Sequence, residues 1–132
     1  MDVQVDVDDA VALAGLVRAL VTTVAGHPDL PGWSVGRLRA ARWLAQRDGV
    51  TGQLLHPVGG TPVPAADAVE ALLHAVDDAL GTAGDRTLVR TRIDALLQDG
   101  GPAGRARQVA AGEPQRWADH VVATTQRSLA DA

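Results

Sequence analysis

Residues 6–26, DVDDAVALAGLVRALVTTVAG, decide the fold class and pose its main problem. Asp6 has the chemistry of a helix N-cap, and Asp8 and Asp9 then fall in the first turn, where the helix dipole favours negative charge. Gly26 supplies the stop, with Pro28 just beyond, so the pattern predicts a helix running to about Ala25. Between Ala10 and Ala25 the only charged residue is Arg18. Leu13, Leu16, Val17, Leu20, Val21 and Val24 cover a very wide arc of the helical projection. A helix apolar nearly all round is expected to be buried on several sides. Such burial asks for more neighbours than this chain obviously supplies.

Ahead of this helix, residues 1–6 (MDVQVD) alternate. Met1, Val3 and Val5 share one face and Asp2, Gln4 and Asp6 the other, which predicts a short strand in need of a partner. The other strand candidates are 53–55 (QLL) and 61–63 (TPV), joined by HPVGG, with Gly59-Gly60 suited to a turn. Ser34 caps a predicted second helix that ends near Asp48 at Gly49. On that helix Leu38, Ala41, Leu44 and Ala45 make one face, while Arg39, Arg42 and Arg47 cluster opposite them around Trp43. Arginines around an outward tryptophan suit a partner or an anionic ligand. The plainer reading is a solvated arginine face with Trp43 folded onto a neighbour. Further helices are predicted at about 65–80, 85–98, 102–111 and 114–130, punctuated by Gly81, Gly84, Gly100, Gly101 and Gly112. The expected fold is mainly α with an α+β remnant: a single domain, 1–132, forming a helical lobe of about five helices with one N-terminal strand and a small β-hairpin.

Composition narrows the function classes. The 132 residues are 46% hydrophobic and 21% charged, with net charge −4, which suits one domain with a single core. There is no Cys, which removes disulfides, thiolate zinc sites and a cysteine nucleophile. Lys, Asn, Phe and Tyr are also absent, against 14 Gly and an arginine-only basic set, as expected of a GC-rich coding sequence. With a mildly acidic balance and no long basic run, neither nucleic acid nor a membrane surface is an expected partner. No apolar run reaches the ~18 residues of a membrane span, and the aspartates near Met1 do not suit a signal peptide. The expected location is the cytoplasm.

No catalytic constellation is complete. His74 with Asp77 or Asp78 offers at most two metal ligands on one helix face, and a solvated polar face explains them better. Asp6, Asp8 and Asp9 lack the glycine and terminal Glu of a calcium loop. Ser34 and Ser128 sit at helix ends without nucleophile-elbow glycines. The run Gly100–Arg105 (GGPAGR) precedes a helix but lacks the Lys-Ser/Thr ending of a phosphate loop, so a helix stop followed by a Pro-started helix accounts for it.

Three stretches in order nevertheless resemble one family. The opening MDVQVDVDDAVALAGLVRALV (1–21) is similar to the last sheet strand and following helix of the glutamate–cysteine ligase type 2, or carboxylate–amine ligase, family. LRAARWLAQRDGVTGQLLHPVGGTPVPA (38–65) resembles that family's arginine-bearing helix, Arg-x-Gly turn and Gly-x-x-x-Asp-Pro-x-x-Gly-x-x-x-Pro hairpin. GGPAGRARQ (100–108) resembles its Gly-rich, Arg-Gln-containing stretch. The resemblance implies an ATP- and magnesium-dependent ligase that activates a carboxylate as an acyl phosphate and joins it to an amine. It also implies that most nucleotide, metal and substrate contacts come from sheet strands that would precede Met1. The matching positions here are Arg42, Arg47, Asp2 and Arg107, with Arg39 beside them, as candidates for binding carboxylate or phosphate. Two departures stand out: Ala41 where many members have Asn, and His56 where the hairpin has Asp. The expectation is a C-terminal helical portion of such a ligase, without a catalytic set, ATP or magnesium of its own. Its expected partner is the missing N-terminal ligase region. The alternative is a stand-alone interaction module, a homodimer through residues 1–25.

Overall fold

Capping and glycine chemistry place several helix ends in the computed structural model, which describes residues 6–27 and 32–130. The strand expected at 1–6 lies outside the described residues apart from Asp6, and Asp2 lies there with it. Helix α1 (Val7–Ala25) opens as expected on Asp6, whose carboxylate accepts the Asp8 N–H at 2.9 Å. Helix α2 (Val35–Asp48) opens on Ser34, whose hydroxyl accepts the Arg37 N–H, and it stops at Gly49 with φ 58°. A single 3₁₀ turn (Gly49–Thr51) then leads into β1 (Gln53–Leu55), which pairs antiparallel with β2 (Pro62–Pro64), Leu54 opposite Val63. The second strand sits one residue later than expected. Thr61 is taken up in closing the turn, its carbonyl accepting the His56 N–H at 2.8 Å.

Next come α3 (Ala65–Ala75), α4 (Asp77–Ala83), α5 (Arg86–Gln98), α6 (Gly101–Ala110) and α7 (Pro114–Ala130). The fold is mainly α with a minor β part. Its seven described helices exceed the expected five or so, chiefly because the helix expected at 65–80 is two. Val76 (φ −107°, ψ 5°) bends the backbone between them, although its N–H still reaches the Leu72 carbonyl. The bend keeps Val76 itself in the core and points Asp77 at Arg86 and Arg90 on α5. Between α5 and α6, Gly100 and Gly101 both have positive φ, 72° and 74°, a conformation that favours glycine. Gly104 completes the corner: a Cβ there would run into the Asp99 carbonyl oxygen, so only glycine lets α6 approach the end of α5 this closely.

The core forms where α1 meets α4 and α5, around Leu16, Ala19, Leu73, Val76, Leu80, Val89, Ile93 and Leu96. Burial of each large side chain contributes roughly 1.5–3 kcal/mol before entropy is counted. α2 contributes no buried residue and rests on β1 and the 3₁₀ turn. α1 departs from the burial expected of it. One face (Asp9, Ala12, Leu16, Ala19) is buried, but Val7, Val11, Val17, Val21 and Val24 on the other are 50–64% exposed.

Candidate functional site

The half-buried side of α2, Ala41 and Leu44 with Asp48, faces the hairpin and the 3₁₀ turn, which turns the arginine face outward. Arg39 and Arg42 are exposed there, beside the exposed Val35, Leu38 and Trp43. Neither arginine forms an ion pair among the described residues. Arg47 is different. Its guanidinium lies 4.2 Å from the Trp43 ring centroid, and its Nε and Nη2 donate to the Asp48 carboxylate at 2.5 and 2.6 Å. That hydrogen bond raises the Arg47 pKa and holds the Asp48 carboxyl below the ordinary carboxylate range. Trp43 thus lies against Arg47, a neighbour one turn along, and stays 56% exposed on a solvated arginine face. Its own helix supplies the stacking partner.

The hairpin reaches the same region. Arg37 lies 5.7 Å from the Trp33 ring centroid and also flanks Gly60, where a Cβ would meet its guanidinium at 3.1 Å. His56, the departure from the Asp of the resemblance, proves to be a turn acceptor. Its Nδ1 accepts the N–H groups of Val58 and Gly59 at 3.3 and 3.1 Å, which requires a neutral ring with the proton on Nε2. A carboxylate at this position can accept the same two donors, so the exchange preserves the turn. His56→Ala is expected to cost about 1 kcal/mol in a urea titration and His56→Asp less than half of that. Equal losses for both variants would exclude the acceptor role.

The Gly-rich stretch joins this region through the 3₁₀ turn. A Cβ on Gly101 would touch Val50, and one on Gly100 would touch Thr51. Segments 34–48 and 53–64 flank Gly49–Thr51 in the chain, and the distant stretch 100–108 thus packs against them at that turn. On α6, Arg107 and Gln108 are exposed, and Arg107 makes no ion pair among the described residues.

Arg105, two residues earlier, points the other way. It donates to Asp9 at 2.8 Å and to Asp99 at 2.9 Å. Burial works against its charge, but the hydrogen bonds to Asp99 and Asp9 outweigh that and raise its pKa. Arg92 on α5 reaches Asp6 at 2.8 Å, Asp8 at 2.6 Å and Asp9 at 3.6 Å. Asp9 is only 2% exposed, so the start of α1 is tied to α5 and α6 through one buried carboxylate. Sequence reasoning assigned Asp8 and Asp9 to the helix dipole and missed this network. A signal was present: Asp9 stands at i−4, i−7 and i−11 from Leu13, Leu16 and Leu20, which places it on the core stripe.

Arg39, Arg42 and Arg107 can meet carboxylate or phosphate oxygens. Among the described residues no group of three or more His, Asp or Glu is placed to hold a metal ion. Asp77, the potential partner of His74, is engaged by Arg86 and Arg90. No described helix is long and apolar enough to cross a membrane.

Comparison with known proteins agrees with the resemblance. The model of glutamate-cysteine ligase family 2 matches residues 1–123. A Streptomyces coelicolor protein, provisionally named glutamate–cysteine ligase 2, is 40% identical over 114 residues, covering 83% of this chain and 31% of that protein. Two relatives provisionally named glutamate–cysteine ligase 2-1 are similarly close. The one from Nocardia farcinica is 40% identical over 99% of this chain and 34% of its own length. The one from Paenarthrobacter aurescens is 41% identical over 91% of this chain and 32% of its own length. The chain therefore spans about a third of the length of these relatives. No solved structure matches it. Matched by the family model at residues 1–123 and sharing about 40% identity with these relatives, the chain belongs to glutamate-cysteine ligase family 2.

Proposed function

We propose that this chain is the C-terminal helical portion of an ATP-dependent carboxylate–amine ligase of the glutamate–cysteine type, working in the cytoplasm and not catalytically complete alone. One observation carries the reading. The arginine-bearing helix, the hairpin and the Gly-rich stretch all meet at the 3₁₀ turn, with Arg39, Arg42 and Arg107 exposed rather than spent on internal ion pairs. Their role would be to hold the carboxylate of the substrate, or the phosphate that activates it, by charge-assisted hydrogen bonds. ATP and magnesium would be held mainly by parts of the ligase outside this chain.

The test is an assay of ADP release dependent on glutamate and cysteine. The chain alone is expected to be inactive. Co-expressed with the part of the Streptomyces coelicolor relative outside the matched 114 residues, it is expected to support turnover. Arg42→Ala is then expected to lower kcat/KM by roughly 10- to 100-fold, the scale of one lost charge-assisted contact in a site. Activity of the chain alone, or turnover indifferent to both Arg39→Ala and Arg42→Ala, would overturn the proposal.

A further inference from the structure

Of the four histidines, His56 is the one whose contacts among the described residues require an uncharged ring. Its Nδ1 accepts the N–H groups of Val58 and Gly59, and no backbone carbonyl takes either donor among the described residues. The His56 backbone is fixed at the same time. Its N–H donates to the Thr61 carbonyl and its own carbonyl accepts the Gly60 N–H, both at 2.8 Å. Pro57 follows, with a locked φ and no N–H to offer. The tip of the hairpin is thus organised around one imidazole lone pair. His27 differs, because its Nδ1 meets the Thr23 carbonyl at 2.8 Å, a contact that a charged ring keeps as donor. His120 stacks on Trp117 and His74 is exposed, and neither accepts an N–H among the described residues.

We infer that His56 makes the hairpin tip a proton-sensitive switch: the closed turn holds only the neutral ring, and proton uptake opens it and frees Arg37. A proton on Nδ1 turns the acceptor into a donor, so three N–H groups would converge on one point and the ring has to turn away. Histidine changes charge between about pH 5 and 8, which sets the switch to the neutral range. Of the elements packed on the hairpin, α2 brings Arg37, whose guanidinium lies against Gly60 and 5.7 Å from the Trp33 ring centroid. At the other end of the hairpin it brings Asp48, already bonded to Arg47, beside Gly52. α3 brings the exposed Asp67, Glu70, which accepts from Arg90 on α5, and His74 in its last turn. The 3₁₀ turn carries no charge. No carboxylate pairs with His56 among the described residues. An imidazolium at this position therefore meets one guanidinium and no counter-charge, and that repulsion adds to the loss of the acceptor. The closed turn excludes a proton that the open chain accepts, so it is favoured fully above the neutral range and loses ground as pH falls through it. Arg37 stands in the first turn of α2, so acid rearranges one edge of the arginine face while the core between α1, α4 and α5 stays intact. The switch does not depend on the chain being part of a ligase.

Nuclear magnetic resonance of the isotope-labelled 132-residue chain tests it. At about pH 8 the ring-nitrogen shifts of His56 are expected to show the proton on Nε2. Lowering the pH from about 8 to about 5 is expected to move the Val58 and Gly59 amide resonances and the Trp33 indole resonance together with the His56 ring, with one midpoint. The two amide protons should lose their hydrogen-bonded downfield shift, and their protection from solvent exchange should fall roughly tenfold, the scale of one lost hydrogen bond. The amides of Ile93 and Leu96 in the core are expected to stay unchanged. In His56→Asp and His56→Asn the turn and Trp33 resonances should also stay put over this span, because neither acceptor titrates there. Either variant suffices for this comparison should the other fail to fold. A ring protonated on Nδ1 at the alkaline end, amides indifferent to the His56 titration, or the same movement in the variants would overturn the inference. So would a turn that opens while Trp33 is unaffected, since Arg37 would then have stayed in place.

Discussion

Asp9→Ala is expected to lower the stability of the folded chain by about 3 kcal/mol, the low end of the cost of removing one member of a buried ion pair. The carboxylate is 2% exposed and receives Arg105 at 2.8 Å, with the Arg92 Nε at 3.6 Å. Its Oδ1 has no hydrogen bond among the described residues, so Asp9 itself is already held at some cost. The two arginine side chains are each 24% exposed and can recover part of their hydration, which keeps the loss near the lower bound. A chain of this size has only about 5–15 kcal/mol of net stability, so the effect is large. A urea titration followed by far-ultraviolet circular dichroism measures it. Asp9→Asn, which keeps volume and one acceptor, is expected to lose less. A shift under about 0.5 kcal/mol for Asp9→Ala would mean that the arginines hold α5 and α6 in place without it.

Leu80→Ala is expected to cost about 3–4 kcal/mol in the same titration, from lost transfer energy and the cavity left behind. Leu80 is 0% exposed and belongs to the core that joins α1, α4 and α5. It lies on α4, one turn after the bend at Val76, which is itself a core residue. Leu38→Ala on α2, where the side chain is 54% exposed, is the matched comparison and is expected to stay within about 0.5 kcal/mol. Similar losses at both positions would contradict the placement of the core.

The contrast between these sites separates what was readable in the sequence from what was not. Helix ends set by neighbours a few residues away were legible: Asp6 and Ser34 cap as their side chains allow, and Gly49 and Gly100 stop helices through positive φ. The break at Val76 was not, because its reason lies in the packing of Val76 and in Arg86 and Arg90, nine or more residues away. The exposure of Arg39 and Arg42 follows from helical periodicity and was visible in outline, whereas Arg107 was singled out only through the family resemblance. The Arg105–Asp9 pair joins residues 96 apart, and no local pattern encodes such a partner. α1 lies between these cases. Its excess of apolar residues was plain, while the reading of burial on several sides holds for one face of this chain only.

The two arginine–tryptophan stacks have a practical corollary. The chain has three tryptophans and no tyrosine or phenylalanine, so tryptophan supplies essentially all of its near-ultraviolet emission. Trp33 and Trp43 lie under Arg37 and Arg47 at the arginine surface, Trp117 stacks on His120 in α7, and none is among the core residues. Fluorescence of this protein thus reports on its rim. Quenching or a spectral shift tracks whatever arrives at α2, whereas the loosening of the helices around Leu80 passes almost in the dark.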